Sequence, residues 1–440
     1  MNLLPKAFIE RMQQRLGNDL PSYIRALSVE PPVSIRLNPS KLDAGFSKSI
    51  KLSYSDYAYV LTERPRFNLD PLFHAGCYYV QEAGSIFLEH IFKQLQLPSD
   101  PFILDLCAAP GGKSTHLLSL LNNQGLLVSN EIIPSRNKIL QQNIYKWGYE
   151  NVIVTQAAAA RIAASDLACD LVLIDAPCSG EGLFRKDKEA GSHWSEAAVQ
   201  GCSRRQQDLV ESIIPSIKQG GYLIYSTCTF EESENDDIIQ YLVKHHGFEV
   251  VQITSIPEGV ISTNYGFQFY PHRTYSEGFY ISALRKTTLT HKEKFNYPLP
   301  ASYLIESTTS LWNPFIDTYR HQTLRLHDTY FLINEIVAQA LNSLGGVTIK
   351  SAGAPLGKQS PKLKPHAALA LSNRLHYAQA INLNHSDALK FLSGNALEND
   401  NQTHGLLLLT YQQHGLGWVN AVKGRLNNLY PHEWRITYRQ

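Results

Sequence analysis

Between residues 101 and 286, short apolar runs alternate with segments of helical periodicity, and this restricts the chain to a narrow set of folds. Strands are expected at Phe102–Cys107, Leu126–Glu131, Val152–Gln156, Leu171–Asp175 and Tyr222–Cys228. Helices are expected at Ser114–Leu121, Ser135–Trp147, Arg204–Ile217 and Glu231–His246. Strands regularly separated by helices build a doubly wound, mostly parallel α/β sheet. Phe248–Ile253 and Phe279–Leu284 have only a long loop between them, which suits an antiparallel pair at the sheet edge. In an open sheet of this kind, ligands sit beyond the carboxyl ends of the strands.

Two of those ends carry chemistry: Asp175-Ala-Pro-Cys178-Ser-Gly180 and Ser226-Thr-Cys228-Thr229. A single cysteine is ordinarily a small buried hydrophobe. Two at strand ends, one beside an aspartate, point instead to a nucleophile and a proton-transfer partner. The six cysteines form no Cys-x-x-Cys pair and no His-Cys zinc spacing, so reduced thiols and no metal are expected. The turn after the first strand, Asp105 to Ser114, carries Gly111 and Gly112 at the start of a helix, where backbone N–H groups are free to meet a ligand. A phosphate-binding loop would need glycine at position 107, which is Cys107, and no Gly-x-Gly-x-x-Gly is present. S-adenosyl-L-methionine remains, with Glu131 at the end of the second strand suited to the ribose hydroxyls. Glu131 also suits the N-terminus of the next helix.

Taken together, Cys107-Ala108-Ala109-Pro110-Gly111-Gly112-Lys113, Asp175 to Gly180 and Ser226 to Thr229 resemble the Nop/Sun family of RNA cytosine-C5 methyltransferases. Gly76–Gln81 and Glu277-Gly278-Phe279 are similar to further family landmarks, and the likeness covers residues 1 to 286. The end of the chain, from Gly417-Trp418-Val419 to Trp434-Arg435, resembles the bacterial RsmF/YebU branch, which acts on 16S ribosomal RNA and carries a PUA-like module. The resemblance implies a class I, Rossmann-like methyltransferase domain that uses S-adenosyl-L-methionine. It implies cofactor binding by Cys107 to Lys113, Glu131 and Asp175, with Cys228 as nucleophile, Cys178 as its assistant, and Asp175 and Lys113 beside the base. A DNA-type enzyme would use Cys178 for the attack instead. Similar sequences carry an acid after the third strand, where this chain has Ala157 to Ala160, and Asp166 follows too late to replace it. That departure motivates a second expectation, an RNA-binding ribosome-assembly factor with weak or lost methyl transfer. A transfer-RNA substrate is a third.

Three domains are expected: an N-terminal α+β RNA-binding segment (1–95), the catalytic domain (96–290) and a β-rich, PUA-like C-terminal region (301–440), joined by a linker near 287–300. Strand-like stretches in the last occur at Leu311–Tyr319, Tyr330–Ile336, Gly346–Ile349, Gly405–Tyr411 and Gly417–Val422. RNA contacts are expected from the loop 181–203, where Phe184 and Trp194 could stack on bases and Arg185, Lys186 and Lys188 could meet phosphate. The inward-packed alternative for the two aromatics is ordinary. Arg36 and Lys41 are read as solvated cations or phosphate contacts. Overall charge, 40 basic against 39 acidic residues, is neutral toward a nucleic acid. Locally, Lys350, Lys358, Lys362, Lys364 and Arg374, and then Lys423, Arg425, Arg435 and Arg439, form basic stretches suited to phosphate. The N-terminal helix lacks the apolar core of a signal peptide, and no run approaches the about 20 apolar residues of a membrane span, so a cytoplasmic location is expected.

Overall fold

The structure is a computed structural model that describes residues 4–41, 49–187, 189–289, 303–307, 310–319, 321–359, 363–399 and 402–438. Lys188, Lys362, Arg439 and most of the expected linker lie outside the described residues. Helices α1 (Lys6–Leu16) and α2 (Leu20–Leu27) lead into an antiparallel sheet of β1 (Val33–Leu37), β2 (Ser49–Lys51), β3 (Ala58–Leu61) and β4 (Tyr78–Val80). The central sheet follows. Its parallel strands β5 (Phe102–Asp105), β6 (Leu126–Asn130), β7 (Val152–Gln156), β8 (Cys169–Asp175) and β9 (Ile217–Thr227) lie in the order β9-β8-β5-β6-β7. Helices cover both faces, so Ile103, Leu104, Val172, Leu173, Leu223 and Ile224 are all buried. The winding reverses between β5 and β8, which opens a crevice at their carboxyl ends.

β13 (Phe279–Lys286) runs antiparallel to β9. Its outer edge pairs with β10 (Phe248–Val250) and with β12 (Phe267–Phe269), whose other neighbour is β11 (Ile261–Ser262). The antiparallel edge is therefore present, with an added hairpin. Around it run α3 (Gly112–Leu121), α4 (Pro134–Trp147), α5 (Glu196–Ile213) and α6 (Asp236–His245). Two helices start five or more residues away from expectation. α5 starts eight residues earlier than Arg204, because the Ser195 hydroxyl accepts the Ala198 N–H at 3.1 Å and caps it; Pro215 then ends it, and β9 begins at Ile217. α6 starts at Asp236, because residues 232–234 form a tight 3-10 turn.

Beyond the linker come β14 (Tyr303–Ser307), β15 (Gln322–Leu326), β16 (Thr329–Ile333), helix α7 (Glu335–Ser343), β17 (Thr348–Ala352), β18 (Ala354–Gln359) and β19 (Leu363–Pro365). β17 leaves its neighbours and pairs antiparallel with β7, so the C-terminal region supplies the outermost strand of the central sheet. Ile349, Leu341 and Leu344 join Ile153 and Ile162 in one continuous core. Residues 311–319, expected to be strand-like, are mainly turn, with Trp312 buried among Phe315, Leu356 and Trp418. A last five-stranded sheet holds β20 (Ala380–Leu383), β21 (Leu397–Asn399), β22 (Gly405–Tyr411), β23 (His414–Val422) and β24 (Gly424–Asn428). Among the described residues no helix is long and apolar enough to cross a membrane.

Arg36 and Lys41 are not surface cations. Arg36 is 1% exposed and lies over the Trp147 ring at 4.5 Å. It donates to Gln81 Oε1 (2.9 Å), Thr115 Oγ1 (2.7 Å) and the Gly112 carbonyl (3.3 Å), tying the N-terminal sheet to α3. The Lys41 ammonium donates to the carbonyls of Ala75, Lys146 and Leu371 at 2.7–2.8 Å, one from each of the three expected domains. Lys41 replaces water with a full set of acceptors, and Arg36 with backbone and side-chain acceptors, as burial requires. The Arg36→Ala substitution leaves Gln81 and Thr115 short of partners, so stability should fall by roughly 3 kcal/mol. A thermal melt would register this as a lower Tm, and an unchanged Tm would contradict the tie.

Candidate active site

Parallel pairing of β8 with β9 sets Asp175 opposite Ser226, and the Ser226 hydroxyl donates to Asp175 Oδ1 at 2.8 Å. The two strands end together, so Cys178 and Cys228 emerge side by side with their Sγ atoms 3.3 Å apart. From α3, Lys113 Nζ reaches Asp175 Oδ2 at 2.8 Å and stands over the Phe279 ring at 5.0 Å. These groups line a cavity of about 530 Å³. Of the residues singled out from sequence, Cys107, Ala108, Ala109, Pro110, Gly112, Lys113, Asp175, Cys178 and Cys228 form its wall, and Gly111 and Glu131 do not.

The turn before α3 is held from outside. Gly111 has φ 113°, a left-handed conformation that a side chain would resist. Arg136 donates to the Ala109 carbonyl at 2.7 Å, and Asn143 to the Pro110 carbonyl at 2.8 Å. Glu131 is buried just past β6, where it accepts the Ile133 N–H at 2.9 Å and pairs with Arg136 at 3.3 Å. Those contacts belong to the start of α4, and Arg136 rather than Glu131 reaches the cavity wall. Ala157 follows β7, its N–H donated to Asn130 Oδ1 at 3.0 Å, and Ala159–Ala163 form a short helix. Beneath the turn, Asp105 is fully buried; Oδ2 accepts from Ser114 at 2.6 Å and Oδ1 has no hydrogen-bond partner among the described residues.

Buried carboxylates brace the cysteine loops. Glu234 Oε2 accepts the Ser179 N–H at 3.0 Å and the Gln206 amide at 2.8 Å, and the same amide donates to the Pro177 carbonyl at 2.9 Å. Glu181 accepts from Trp194 Nε1 (2.8 Å), Thr229 Oγ1 (3.0 Å) and the Phe230 N–H (3.0 Å), and burial pushes its carboxyl up to about 8. The hydrogen bond with Cys228, reinforced by burial, pushes the Cys178 thiol well up, and burial also raises Cys107. Sequence reasoning missed Glu181, Glu234 and Gln206. Acidic residues after Cys228 look like an ordinary helix start, and only the folded chain turns Glu234 back toward Ser179.

Phe184 and Trp194 do not offer stacking faces. Both are buried, with ring centroids 5.0 and 5.8 Å from Phe8 of α1. Arg185 donates to the Val29 and Glu30 carbonyls, whereas Lys186 is exposed and lines the cavity. The C-terminal basic stretch is also partly committed. Arg374 pairs with buried Glu150 at 2.7 Å and Lys358 with Asp328 at 2.5 Å, while Lys350, Lys364, Lys423 and Arg425 are exposed.

The family described as 16S rRNA methyltransferase RsmB/F matches residues 93–285. The N-terminal domain of 16S rRNA methyltransferase RsmF matches 4–83, and the methyltransferase RsmF PUA domain matches 378–436. A ribosomal RNA small subunit methyltransferase F of Shewanella loihica is 31% identical over 386 residues, covering 81% of this chain and 77% of the relative. The chain belongs to the RsmF-type Nop/Sun methyltransferases. A second relative of the same description, from Aeromonas salmonicida, is 31% identical over 82% of this chain and 79% of its own. Among solved structures, a methyltransferase homologue from Pyrococcus horikoshii aligns with TM-score 0.56 and 25% identity, covering 65% of this chain and 96% of its own. NSun6 from the same organism, crystallised with SFG, aligns with TM-score 0.56 at 21% identity, covering 64% and 98%, and shares the fold. The chain is thus a methyltransferase with a Rossmann-like mixed sheet and a C-terminal PUA domain.

Burial pushes the Asp105 carboxyl up to about 7, against the Ser114 hydrogen bond. The native state therefore keeps a proton that the unfolded chain loses near pH 4. Stability from this group declines as pH rises from about 4 to 7 and is level above that. Asp105→Asn should flatten the fall in Tm between pH 5 and pH 8 by several degrees relative to the parent. Identical pH profiles would contradict the assignment.

Proposed function

We propose that the chain transfers a methyl group from S-adenosyl-L-methionine to C5 of a cytidine in RNA, with 16S ribosomal RNA as substrate and the bacterial cytoplasm as its place of action. The substrate class is supported by the family to which the chain belongs and by the small-subunit enzymes it resembles. The observation that carries the chemistry is the Cys178–Cys228 pair in one cavity with the Lys113–Asp175 pair.

The turn 107–113 fits the cofactor. Its wall is small, a Cβ added at Gly112 would already lie 3.3 Å from the Tyr79 ring, and Asp105 offers an unpartnered oxygen beneath it. When bound, S-adenosyl-L-methionine supplies an electrophilic methyl on a sulfonium. Cys107 to Lys113, Glu131 and Asp175 are the residues assigned to hold it.

Unactivated C5 of cytosine is a weak nucleophile. The Cys228 thiolate adds to C6, and the ring electrons move so that C5 becomes enamine-like and takes the methyl. Lys113 lines the same cavity as the thiols, and a cation there supports a thiolate. The two Sγ atoms share one hydrogen bond in which either can donate, and the raised Cys178 thiol supports attack by Cys228 with Cys178 as the protonated partner. Charge that builds on N3 and O2 is met by Asp175, sharing a proton with N3 while Lys113 compensates its carboxylate. Loss of the C5 proton to water then expels the Cys228 thiolate and restores the aromatic ring. A duplex hides C5 and C6, so the base must be unpaired or flipped into the cavity.

Cys178→Ala incubated with 16S ribosomal RNA and S-adenosyl-L-methionine should accumulate a protein–RNA adduct that survives denaturation, and Cys228→Ala should give none. The reverse pattern would exchange the two roles and favour a DNA-type mechanism. The run Ala157 to Ala160 favours a second reading, an assembly factor with lost transfer; absence of S-adenosyl-L-methionine binding in calorimetry would select it.

A further inference from the structure

Glu277 stands at the start of the β13 edge of the cavity. It is 3% exposed, and neither carboxylate oxygen has a hydrogen-bond partner among the described residues. Arg185 approaches Oε1 only to 3.7 Å, because two of its nitrogens are already donating to Val29 and Glu30. A buried carboxylate with unmet acceptor capacity is costly unless a donor arrives. Here the cavity is where a donor can come from.

The backbone places this carboxylate on the nucleophile's side. Gly278, with φ 152°, packs so closely against the cysteine loop that a Cβ there would lie 2.8 Å from Gly182 Cα. Gly182 in turn donates its N–H to the Cys228 carbonyl at 2.8 Å, and a Cβ on Gly182 would meet the Gly278 carbonyl at 2.5 Å. Two residues on, Phe279 carries the Lys113 ammonium over its ring. Glu277 is thus tied to Cys228 through one glycine pair and to Lys113 through its own strand.

We infer that Glu277 reads the exocyclic amino group of the target cytosine, accepting an N–H from N4 and excluding uracil at the same position. The inference rests on the cytidine reading given under Proposed function. Cytosine and uracil present the same C5–C6 edge to a thiolate, so Cys178, Cys228 and the methyl donor do not tell them apart. They differ at C4, where cytosine offers two N–H donors and uracil an acceptor oxygen. A desolvated carboxylate gains a hydrogen bond from the first and repels the second, and a site built for a hydrogen bond discriminates strongly against a partner that cannot make it. Burial and the nearby Glu82 raise the Glu277 carboxyl, while Lys186 and Arg185 oppose that rise.

The test uses the full chain, tritiated S-adenosyl-L-methionine and transcribed 16S ribosomal RNA in which the cytidine methylated by the parent enzyme has been located by bisulfite sequencing. A second transcript carries uridine at that position. Glu277→Gln replaces one acceptor oxygen with an N–H donor that suits O4 of uracil. Its transfer to cytidine should fall by about tenfold or more, and transfer to uridine should rise above the parent level, with S-adenosyl-L-methionine affinity unchanged. An undiminished cytidine rate overturns the inference. So does a loss on cytidine with no gain on uridine, which would make Glu277 a structural partner of Arg185. A loss of cofactor affinity would place the carboxylate on the cofactor's ammonium instead. If the parent methylates no cytidine, the reaction proposed for the chain fails before Glu277 is tested.

Discussion

The site depends on the parallel registration of β8 with β9. Setting Asp175 against Ser226 fixes how far each chain travels beyond the sheet before it turns. Cys178 lies three residues past one partner and Cys228 two past the other, so the 3.3 Å approach of the sulfurs follows from the register. A slip would separate them and break the Ser226–Asp175 hydrogen bond. Lys113 comes from across the switch point, on the helix after β5, and its contact with Asp175 closes the site between two crossovers.

Around that register, the chain uses buried carboxyl and amide groups to fix the loops. Glu234 holds Ser179, Glu181 holds Thr229 and Phe230, and Gln206 holds Pro177. α1 then seals the outside by packing Phe8 on Phe184 and Trp194. The N-terminal segment therefore contributes to the rigidity of the catalytic loops, an arrangement that suits preorganised electrostatics. At the far edge, β17 completes the sheet beside β7, and Arg161 donates to the Gly346 carbonyl at 2.7 Å close to the alanine run.

Much of the fold was legible because apolar runs and Gly-bounded turns act locally. β6, β7 and α3 lie within a residue or two of where periodicity puts them, and the loop between the last two expected strands does end in an antiparallel edge. The long-range features were not legible. β17 is a five-residue strand whose partner lies nearly 200 residues earlier, and no local pattern announces that pairing. Arg36 and Lys41 look like surface cations until the carbonyls and side chains that surround them are assembled from distant segments. Within the site, the cysteines, Lys113 and Asp175 stood out by motif. Glu181 and Glu234 did not, because isolated glutamates in loops carry no signature, and Glu277 stood only within a family landmark with no role attached to it. What sets them apart is burial.

The central claim is that Cys228 forms the bond to the base while Cys178 is the protonated partner beside it. It is tested most directly with 16S ribosomal RNA transcribed with 5-fluorocytidine, in which the C5 substituent cannot leave as a proton and the covalent species persists. After incubation with the unaltered protein and S-adenosyl-L-methionine, nuclease and protease digestion and mass spectrometry identify the modified peptide. A methylated fluorocytidine on the peptide containing Cys228 is the predicted result, and the same adduct on the peptide containing Cys178 would contradict the account.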